Sequence, residues 1–424
     1  MTRTLSEWLS YQERTHPRDI ALGLDRVRSV WEAMGSPRPA PIVVTVGGTN
    51  GKGSTVALLE GMFRAAGYRT GCYTSPHLLR YNERIRIDGD DASDADLIAS
   101  FERIEAARGA TPQTYFEFGT LAAIDLMARA SVDIAILEVG LGGRLDAVNI
   151  VDADVAVVTT VDLDHQDWLG SDRDAIGREK AGIARPGRPV VVGEPEPPVG
   201  LLEALSSIGA TVVRAGKDFA AEPRTGAEPG WRWVHRDGTA FGLPPPALDA
   251  PVQLANAATA IAAIHALGAR VSIPHAAWAA ALTQVRVAGR LQRIGIRPRT
   301  LVDVGHNPQA ARALAAWLDA EPVDGRVFAV YGALADKDVA GVIAAMGRRI
   351  DRWFLAGLDG DTPRGLSGRA LAETLASVLP DAASATYGSV AEAWAAARTE
   401  AGDDDTVLLF GSFFVAGAAL STAM

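Results

Sequence analysis

From residue 41 onward, short runs of consecutive apolar residues alternate with longer stretches in which apolar positions recur every three or four residues. The run PIVVTV (41–46) is apolar and ends at a glycine-rich turn, so it reads as a short strand. The stretch Ser54–Ala66 spaces Val56, Leu59 and Phe63 along one helical face. YRTGCYTS (68–75) reads as a second strand, with helices following near 94–107 and 117–129. VDIAILEV (132–139) and DVAVVTTV (154–161) lack polar alternation in their middles, as strands covered on both faces do. Helix–strand units continue to about residue 215, and residues 1–40 predict one or two helices before the connector SPRPAP. Residues 230–243 read as irregular with some β character, and two Ala-rich helices near 252–267 and 274–284 close the first half.

The basic, weakly periodic segment VRVAGRLQRIGIRPRT (285–300) reads as a connector. Alternation then restarts, with strands at 300–304, 326–331, 351–356 and 406–410 and helices near 308–319, 337–348, 367–378 and 389–399. Two βα-alternating halves predict an α/β protein of two three-layer domains with mostly parallel sheets. The expected division is 1–285, a linker over 286–299, and a smaller, Rossmann-like domain over 300–424.

Composition narrows the setting. A chain of 424 residues suits two hydrophobic cores better than one, and 48% hydrophobic with 22% charged residues is ordinary for a globular protein. The net charge of −10 argues against a nucleic-acid partner while leaving room for a local basic pocket. The one cysteine, Cys72, permits no intramolecular disulfide and is expected to be buried. The opening MTRTLSEWLSYQERTH has no apolar core of a signal peptide, and no window approaches the roughly 18 apolar residues of a membrane span. A cytoplasmic protein without membrane attachment is expected.

The chemistry-bearing segments all follow predicted strands. GGTNGKGS (47–54) lies between a strand and a helix, where glycine amides and a helix N-terminus can receive phosphate oxygens. Lys52 is placed to reach the β/γ-phosphates, and Ser54 or Thr55 to face a metal ion. The loop departs from the general phosphate-loop pattern, because Gly53 separates the lysine from the serine. TSPHLLRYNERIR (74–86) follows the second strand; Ser75 and His77 sit at its end, and Arg80, Arg84 and Arg86 either cradle a carboxylate or are solvated. LEVGLGGRLDAVN (137–149) puts Glu138 in an apolar strand, where a metal ion or a partner such as Arg144 must compensate it. TTVDLDHQDWLG (159–170) groups His165 with Asp162, Asp164 and Asp167, a plausible metal-ligand set. Lys180, in REKAGIARPG (178–187), would ordinarily lie on a solvated helix face or in a salt bridge. Ligands of open α/β sheets collect beyond the carboxyl ends of the strands, so residues 52, 75, 138 and 165 can converge. Their types fit ATP with Mg²⁺, although histidine leaves Mn²⁺ or Zn²⁺ open. DVGHNP (303–308) and GSFF (411–414) follow strands of the second half, which has no phosphate loop and is expected to complete a site on the first.

These segments, together with TYFEFGT, GREKAGI, NAATA and the GR of AGRLQ, occur in the order typical of the folylpolyglutamate synthase family. The chain resembles that family over roughly residues 5–420, most of all its bifunctional proteobacterial members. The resemblance implies ATP-dependent ligation of L-glutamate to dihydropteroate and to folates through an acyl phosphate, by a monomer. It implies that Gly48, Thr49, Asn50, Gly51, Lys52, Gly53 and Ser54 hold the ATP phosphates, with Asn256, Arg290 and Asp303 as further nucleotide contacts. Ser75, Glu138 and His165 are the implied Mg²⁺ ligands, and Lys180 matches a lysine that is carbamylated in the family and would ligate a second Mg²⁺. Phe116 and Asp146 are the implied pterin contacts, His306 and, less directly, Ser412 the implied glutamate contacts. Lys52, Lys180 and His306 are thereby the implied catalytic residues. Two departures stand out: Gly305 where relatives commonly have Ala, and no His after GSFF. A Mur-type ligase would need a UDP-binding domain ahead of the loop, for which 46 residues leave no room. A phosphate-loop kinase or switch is disfavoured by the Lys-Gly-Ser spacing and the second α/β half, and an inactive binding module by the joint presence of Lys52, Glu138, His165 and Lys180.

Overall fold

The computed structural model describes residues 3–16, 21–223, 230–321 and 323–423. The chain divides into two compact units, Met1–Ala247 with Leu254–Val285, and Leu248–Gln253 with Arg286–Met424.

The first unit is built on eight strands: β1 (Ile42–Gly47), β2 (Thr70–Tyr73), β3 (Ile85–Ile87), β4 (Asp90–Asp91), β5 (Ile134–Glu138), β6 (Val155–Val158), β7 (Pro189–Val192) and β8 (Thr211–Arg214). Their order is β4-β3-β2-β5-β1-β6-β7-β8. All pairs from β2 to β8 are parallel, and β3 and β4 add an antiparallel edge. That edge is short and polar and carries little periodicity, which is why the apolar pattern does not announce it. The central strands bury both faces. Val43, Ala135, Leu137, Ala156 and Val158 face one core, with the helices Asp94–Arg108 and Tyr115–Ala130. Val44, Val46, Ile134, Ile136, Val155 and Val157 face the other, with the helices Lys52–Ala65, Val252–Ala266 and His275–Gln284. Unbroken apolar runs are the sequence signature of such double coverage. Residues 230–243 contain two strands, β10 (Trp231–His235) and β11 (Ala240–Leu243), which join β9 (Phe219–Pro223) in an antiparallel sheet, with Trp231 and Trp233 turned inward. Two N-terminal helices, Leu5–Thr15 and Asp25–Ala33, pack on the first core through Trp8, Val27 and Val30.

The second unit has six strands: β12 (Gln292–Gly295), β13 (Arg299–Val302), β14 (Val327–Tyr331), β15 (Arg352–Ala356), β16 (Ser384–Tyr387) and β17 (Thr406–Phe410). The order is β12-β13-β17-β14-β15-β16, parallel except for the hairpin β12–β13. The basic segment read as a connector thus contributes an edge strand. Its residues alternate weakly because an edge strand buries only part of its surface. The final helix, Phe413–Ala423, starts inside the GSFF motif and was hidden by its small residues.

Candidate functional site

The first unit's site starts at the end of β1. Gly48 (φ +147°) and Gly51 (φ +82°) turn the chain where an L side chain is strained. A Cβ on Gly48 would lie 1.9 Å from Thr159 Oγ1, and one on Gly51 2.6 Å from Asn256 Oδ1. Asn256, on the helix Val252–Ala266, therefore stands against the phosphate loop. Two threonines at the end of β6 fix the loop's shape. Thr49 N donates to Thr160 O (2.8 Å), Asn50 N to Thr160 Oγ1 (3.0 Å), and Thr159 Oγ1 donates to Asn50 O (2.6 Å). Thr49 Oγ1 and the backbone of Asp162 exchange bonds of 3.1 Å in both directions. With the amides of Thr49 and Asn50 engaged, the first turn of the helix Lys52–Ala65, which receives no side-chain cap from Gly51, offers the amides a helix N-terminus leaves without intrahelical acceptors. The helix begins at Lys52, two residues before the periodicity suggests, because Gly51 in its left-handed conformation ends the loop. Thr55 Oγ1 donates to Gly51 O (2.9 Å), so of the two hydroxyls considered for a metal, Thr55's is spent on its own helix. Lys52 Nζ reaches back to Gly48 O (3.1 Å) and Thr49 O (3.2 Å), over the loop.

The neighbouring strands bring their groups to the same edge. Glu138 ends β5 opposite Val46 of β1, is buried, and accepts from Ser75 N (3.1 Å) at the end of β2. Arg144, the alternative partner for Glu138, pairs instead with Glu179 (2.8 Å). His165 lies half-buried in the left-handed region just before the helix Gln166–Leu169, its Nε2 3.9 Å from Asp164 Oδ1. Lys180 is buried on the helix Arg173–Ala181, contrary to the usual reading of a helical lysine. Its amine is pushed down to about 7, first by burial, then by the charge of Lys52, with Asp164 acting the other way. Gly143 lets that helix approach, since a Cβ there would sit 3.2 Å from Lys180 Cα.

Asp146 is buried and is an organiser of its own turn. Its Oδ2 accepts from Gly140 N (3.0 Å) and Leu141 N (2.9 Å), its Oδ1 from Val148 N (3.0 Å). Burial pushes it up to about 7 against those bonds and the charge of Lys52. Phe116 packs on the same turn: a Cβ on Gly140 would meet its ring at 2.7 Å, and the ring lies 5.8 Å from that of Tyr73. Around it stands an aromatic set that sequence reasoning missed. Arg84 lies 5.4 Å from the ring centroids of both Tyr81 and Tyr115, and its Nε donates to His77 Nδ1 (2.8 Å). The three arginines of that segment separate: Arg86 pairs with Glu60 (2.7 Å) and Arg80 lies 3.8 Å from Asp94.

In the second unit, Asp303 follows β13 and is buried. Its oxygens accept from Leu291 N and Gly305 N, both at 2.7 Å. Burial raises its pKa, while Arg290, the two amides and His306 lower it. Arg290 lies 5.6 Å from the Phe413 ring centroid, and His306, with Nδ1 2.9 Å from Val304 O, lies 6.2 Å from the same ring. Ser412 is buried, and its Oγ accepts from Val415 N (3.1 Å) as the cap of the last helix.

The carboxylate of Glu138 and the hydroxyl of Ser75 offer the oxygens that a hard divalent ion requires, and His165 adds a nitrogen. An ammonium is no metal ligand, and a hard ion prefers oxygen to an amine nitrogen.

A parallel sheet whose carboxyl edge carries a phosphate loop, a buried acid and a buried lysine is a setting for nucleotide-driven chemistry, and the domain matches make it that of an ATP-dependent ligase built from Mur-ligase domains without a UDP-binding domain ahead of the loop. Residues 46–192 match the Mur ligase middle domain, and residues 289–413 the Mur ligase glutamate ligase domain. The dihydrofolate synthase/folylpolyglutamate synthase of Escherichia coli (strain K12) is 46% identical over 96% of this chain and 93% of its own. The structure of E. coli FolC in complex with DHPP and ADP superposes with a TM-score of 0.93 at 45% identity, covering 99% of this chain and 97% of that one. A bifunctional folylpolyglutamate synthase/dihydrofolate synthase with Mn, AMPPNP and L-glutamate bound gives 0.90 at 44% identity, covering 99% and 98%. The chain belongs to the dihydrofolate synthase/folylpolyglutamate synthase family. Among the described residues no helix is long and apolar enough to cross a membrane.

Proposed function

We propose a division of labour among the residues of this ligase. The protein uses ATP and a divalent metal ion to join L-glutamate to 7,8-dihydropteroate, giving dihydrofolate, and to folates, extending their glutamate tail. The observation that carries the assignment is the gathering of the loop 48–54, Ser75, Glu138, Lys180 and the Asp146 turn at one sheet edge.

A carboxylate is a poor acyl donor, so its activation is assigned to phosphorylation by ATP, which releases ADP and leaves an acyl phosphate. The glutamate amine then attacks the acyl carbon, loses a proton, and expels inorganic phosphate. The first-turn amides of residues 52–54 bind phosphate oxygens, and Lys52, moved off the loop carbonyls it now holds, meets charge on the transferring phosphoryl group. Asn256 supports the loop at Gly51 and contacts the nucleotide. A Mg²⁺ ion, when bound, neutralises charge on the same group; Ser75, Glu138 and His165 are the residues assigned to hold it. Lys180 is assigned a carbamate, formed when its amine adds CO₂ and releases a proton, and a second Mg²⁺. Burial favours the neutral amine that this addition needs.

Phe116 is assigned to the face of the pterin, and Asp146 to holding the turn beneath it, with one lone-pair direction left on Oδ1 for a pterin N–H. Arg290 and Asp303 are assigned to the nucleotide, and Asp303 holds the backbone next to Arg290 through its bond from Leu291 N. His306 is assigned to glutamate, and Ser412 shapes that pocket by capping its helix. In the expected division, the phosphate loop, the metal residues and the pterin contacts fall on 1–285, Arg290 on the linker over 286–299, and Asp303, His306 and Ser412 on 300–424. The enzyme is expected to work as a cytoplasmic monomer. Mass spectrometry of products with dihydropteroate and a monoglutamyl folate, each with and without glutamate, tests the reading. A product heavier by one glutamyl residue with each acceptor, and ADP formed in step with it, is expected. ATP hydrolysis without a ligated product would overturn it.

A further inference from the structure

Away from the site, the first unit carries a second set of metal-type side chains. His235 ends β10, Asp237 sits on the turn to β11, and His265 lies in the last turn of the helix Val252–Ala266. His265 Nε2 is 2.8 Å from Asp237 Oδ2, His235 Nδ1 is 3.0 Å from Asp237 Oδ1, and one ligand atom from each of the three lies within 4.8 Å of the others. Ligands around a tetrahedral ion at zinc-like bond lengths lie about 3.3 Å apart, so little movement separates this arrangement from a coordination shell.

We propose that His235, Asp237 and His265 form a binding site for a divalent transition-metal ion of the zinc class, outside the catalytic machinery. Two imidazoles and one carboxylate favour Zn²⁺, Co²⁺ or Ni²⁺ over Mg²⁺, whose preference is for oxygen. Three protein ligands leave a fourth position for water.

The rings are held in advance. His235 stacks on Trp233, at 5.8 Å and 7° between planes, and is largely shielded from solvent. Trp233 is itself buried and anchored by Nε1 to Ala258 O (3.1 Å) of the same helix that carries His265. The His265 ring lies 5.3 Å from Trp233 and 4.5 Å from His235. Asp237 is the adjustable member: its turn is exposed, Gly238 follows at φ +93°, and Oδ1 accepts from Thr239 N (2.8 Å). His235 Nδ1 accepts from Asp237 N (3.3 Å) and lies 3.0 Å from the Asp237 carboxylate oxygen; a cation between nitrogen and oxygen would replace that long amide bond and meet both lone pairs. Such an ion would staple the β10–β11 turn to the end of the helix on which Asn256 stands.

The test uses the whole chain without added histidines, saturated with Mg²⁺ and ADP so that the catalytic metal position is filled. Buffered Zn²⁺ is titrated into the wild type, His265→Ala and Asp237→Asn, and Co²⁺ is titrated in parallel and followed by its visible absorption. The wild type should take up one Zn²⁺ per chain, show a low-coordinate Co²⁺ spectrum, and melt at a higher temperature with Zn²⁺ than without. Both variants should bind at least roughly 10- to 100-fold more weakly, the loss known for merely supporting partners of a metal ligand. Retained Mg²⁺–ADP binding reports that each variant is folded, and Asp237→Asn, nearly isosteric, covers the case in which His265→Ala is not. Equal Zn²⁺ uptake by the wild type and a folded variant would overturn the proposal, as would a wild type that takes up no Zn²⁺ while Mg²⁺ and ADP are bound.

Discussion

The two ends of the eight-stranded sheet treat buried charge in opposite ways. At the amino edge, Asp154 precedes β6 and is buried. Its carboxylate accepts from Val43 N (2.8 Å) and from Arg38 and Arg270 (2.8 Å each), and Arg188 completes the set. Burial alone would raise its pKa, but the Arg270 and Val43 hydrogen bonds and the charges of Arg270 and Arg38 outweigh it and hold Asp154 below the usual range. At the carboxyl edge, Asp146 is held by three backbone amides and is raised to about 7 by burial, while Lys180 is lowered to about 7. Charge at the amino edge is compensated by the protein's own arginines. Charge at the carboxyl edge is kept under tension, as expected where a ligand supplies the compensation.

If that contrast is right, variants at the two edges separate activity from stability. Lys52→Ala should lower turnover with both acceptors by on the order of 100- to 1000-fold and leave the melting temperature nearly unchanged. Ligation at wild-type rate with either acceptor would reveal a second nucleotide site. Asp154→Ala should do the reverse, costing about 3 kcal/mol by denaturant unfolding with kcat per folded molecule retained. Because Asp154's folded pKa is depressed, its contribution is complete above the ordinary value of about 3.9 and fades as pH falls through the lower folded value. The difference in unfolding free energy between wild type and variant should therefore shrink in strong acid. A pH-independent difference would mean that the lost contribution is packing.

Asp146→Ala stands between the two. Loss of its three amide bonds should cost about 2 kcal/mol and impair both ligations, dihydrofolate synthesis more if Oδ1 also meets the pterin. The ratio of kcat/KM for the two acceptors, measured in one preparation, separates turn support from recognition. Smallest is Ser412→Ala, where loss of a helix cap costs about 1 kcal/mol. A rise of only a few-fold in the KM for glutamate is expected from the loosened cap; a rise of about 10-fold or more would show direct contact.

The motifs were legible because they depend on residue type at fixed spacing: the loop 47–54, Glu138 in an apolar strand, and His165 among the acids after β6. What pattern could not reveal was the use made of each group. Nothing in periodicity distinguishes Lys180 from a solvated helical lysine; its burial follows from Gly143, distant in sequence, which lets the helix close in. Asp146 and Ser412 are expected substrate contacts, and the backbone amides that each also holds were not legible in the pattern. Likewise β12 escaped notice because a short basic edge strand has no apolar alternation to betray it, and the Arg84–Tyr81–Tyr115 cluster because aromatics there read equally well as core.

The threonine clasp on the phosphate loop bears on how nucleotide binding is felt. With Thr159, Thr160 and Thr49 lashing residues 49 and 50 to the end of β6, the loop's backbone is already ordered. Fixing a residue's backbone ordinarily costs about 1–2 kcal/mol of conformational entropy, and here most of that ordering precedes the ligand. Nucleotide association should accordingly show only a modest entropic penalty from the loop. Hydrogen exchange should find the amides of Thr49 and Asn50 slow with or without nucleotide, while those of residues 52–54 slow only once phosphate covers them.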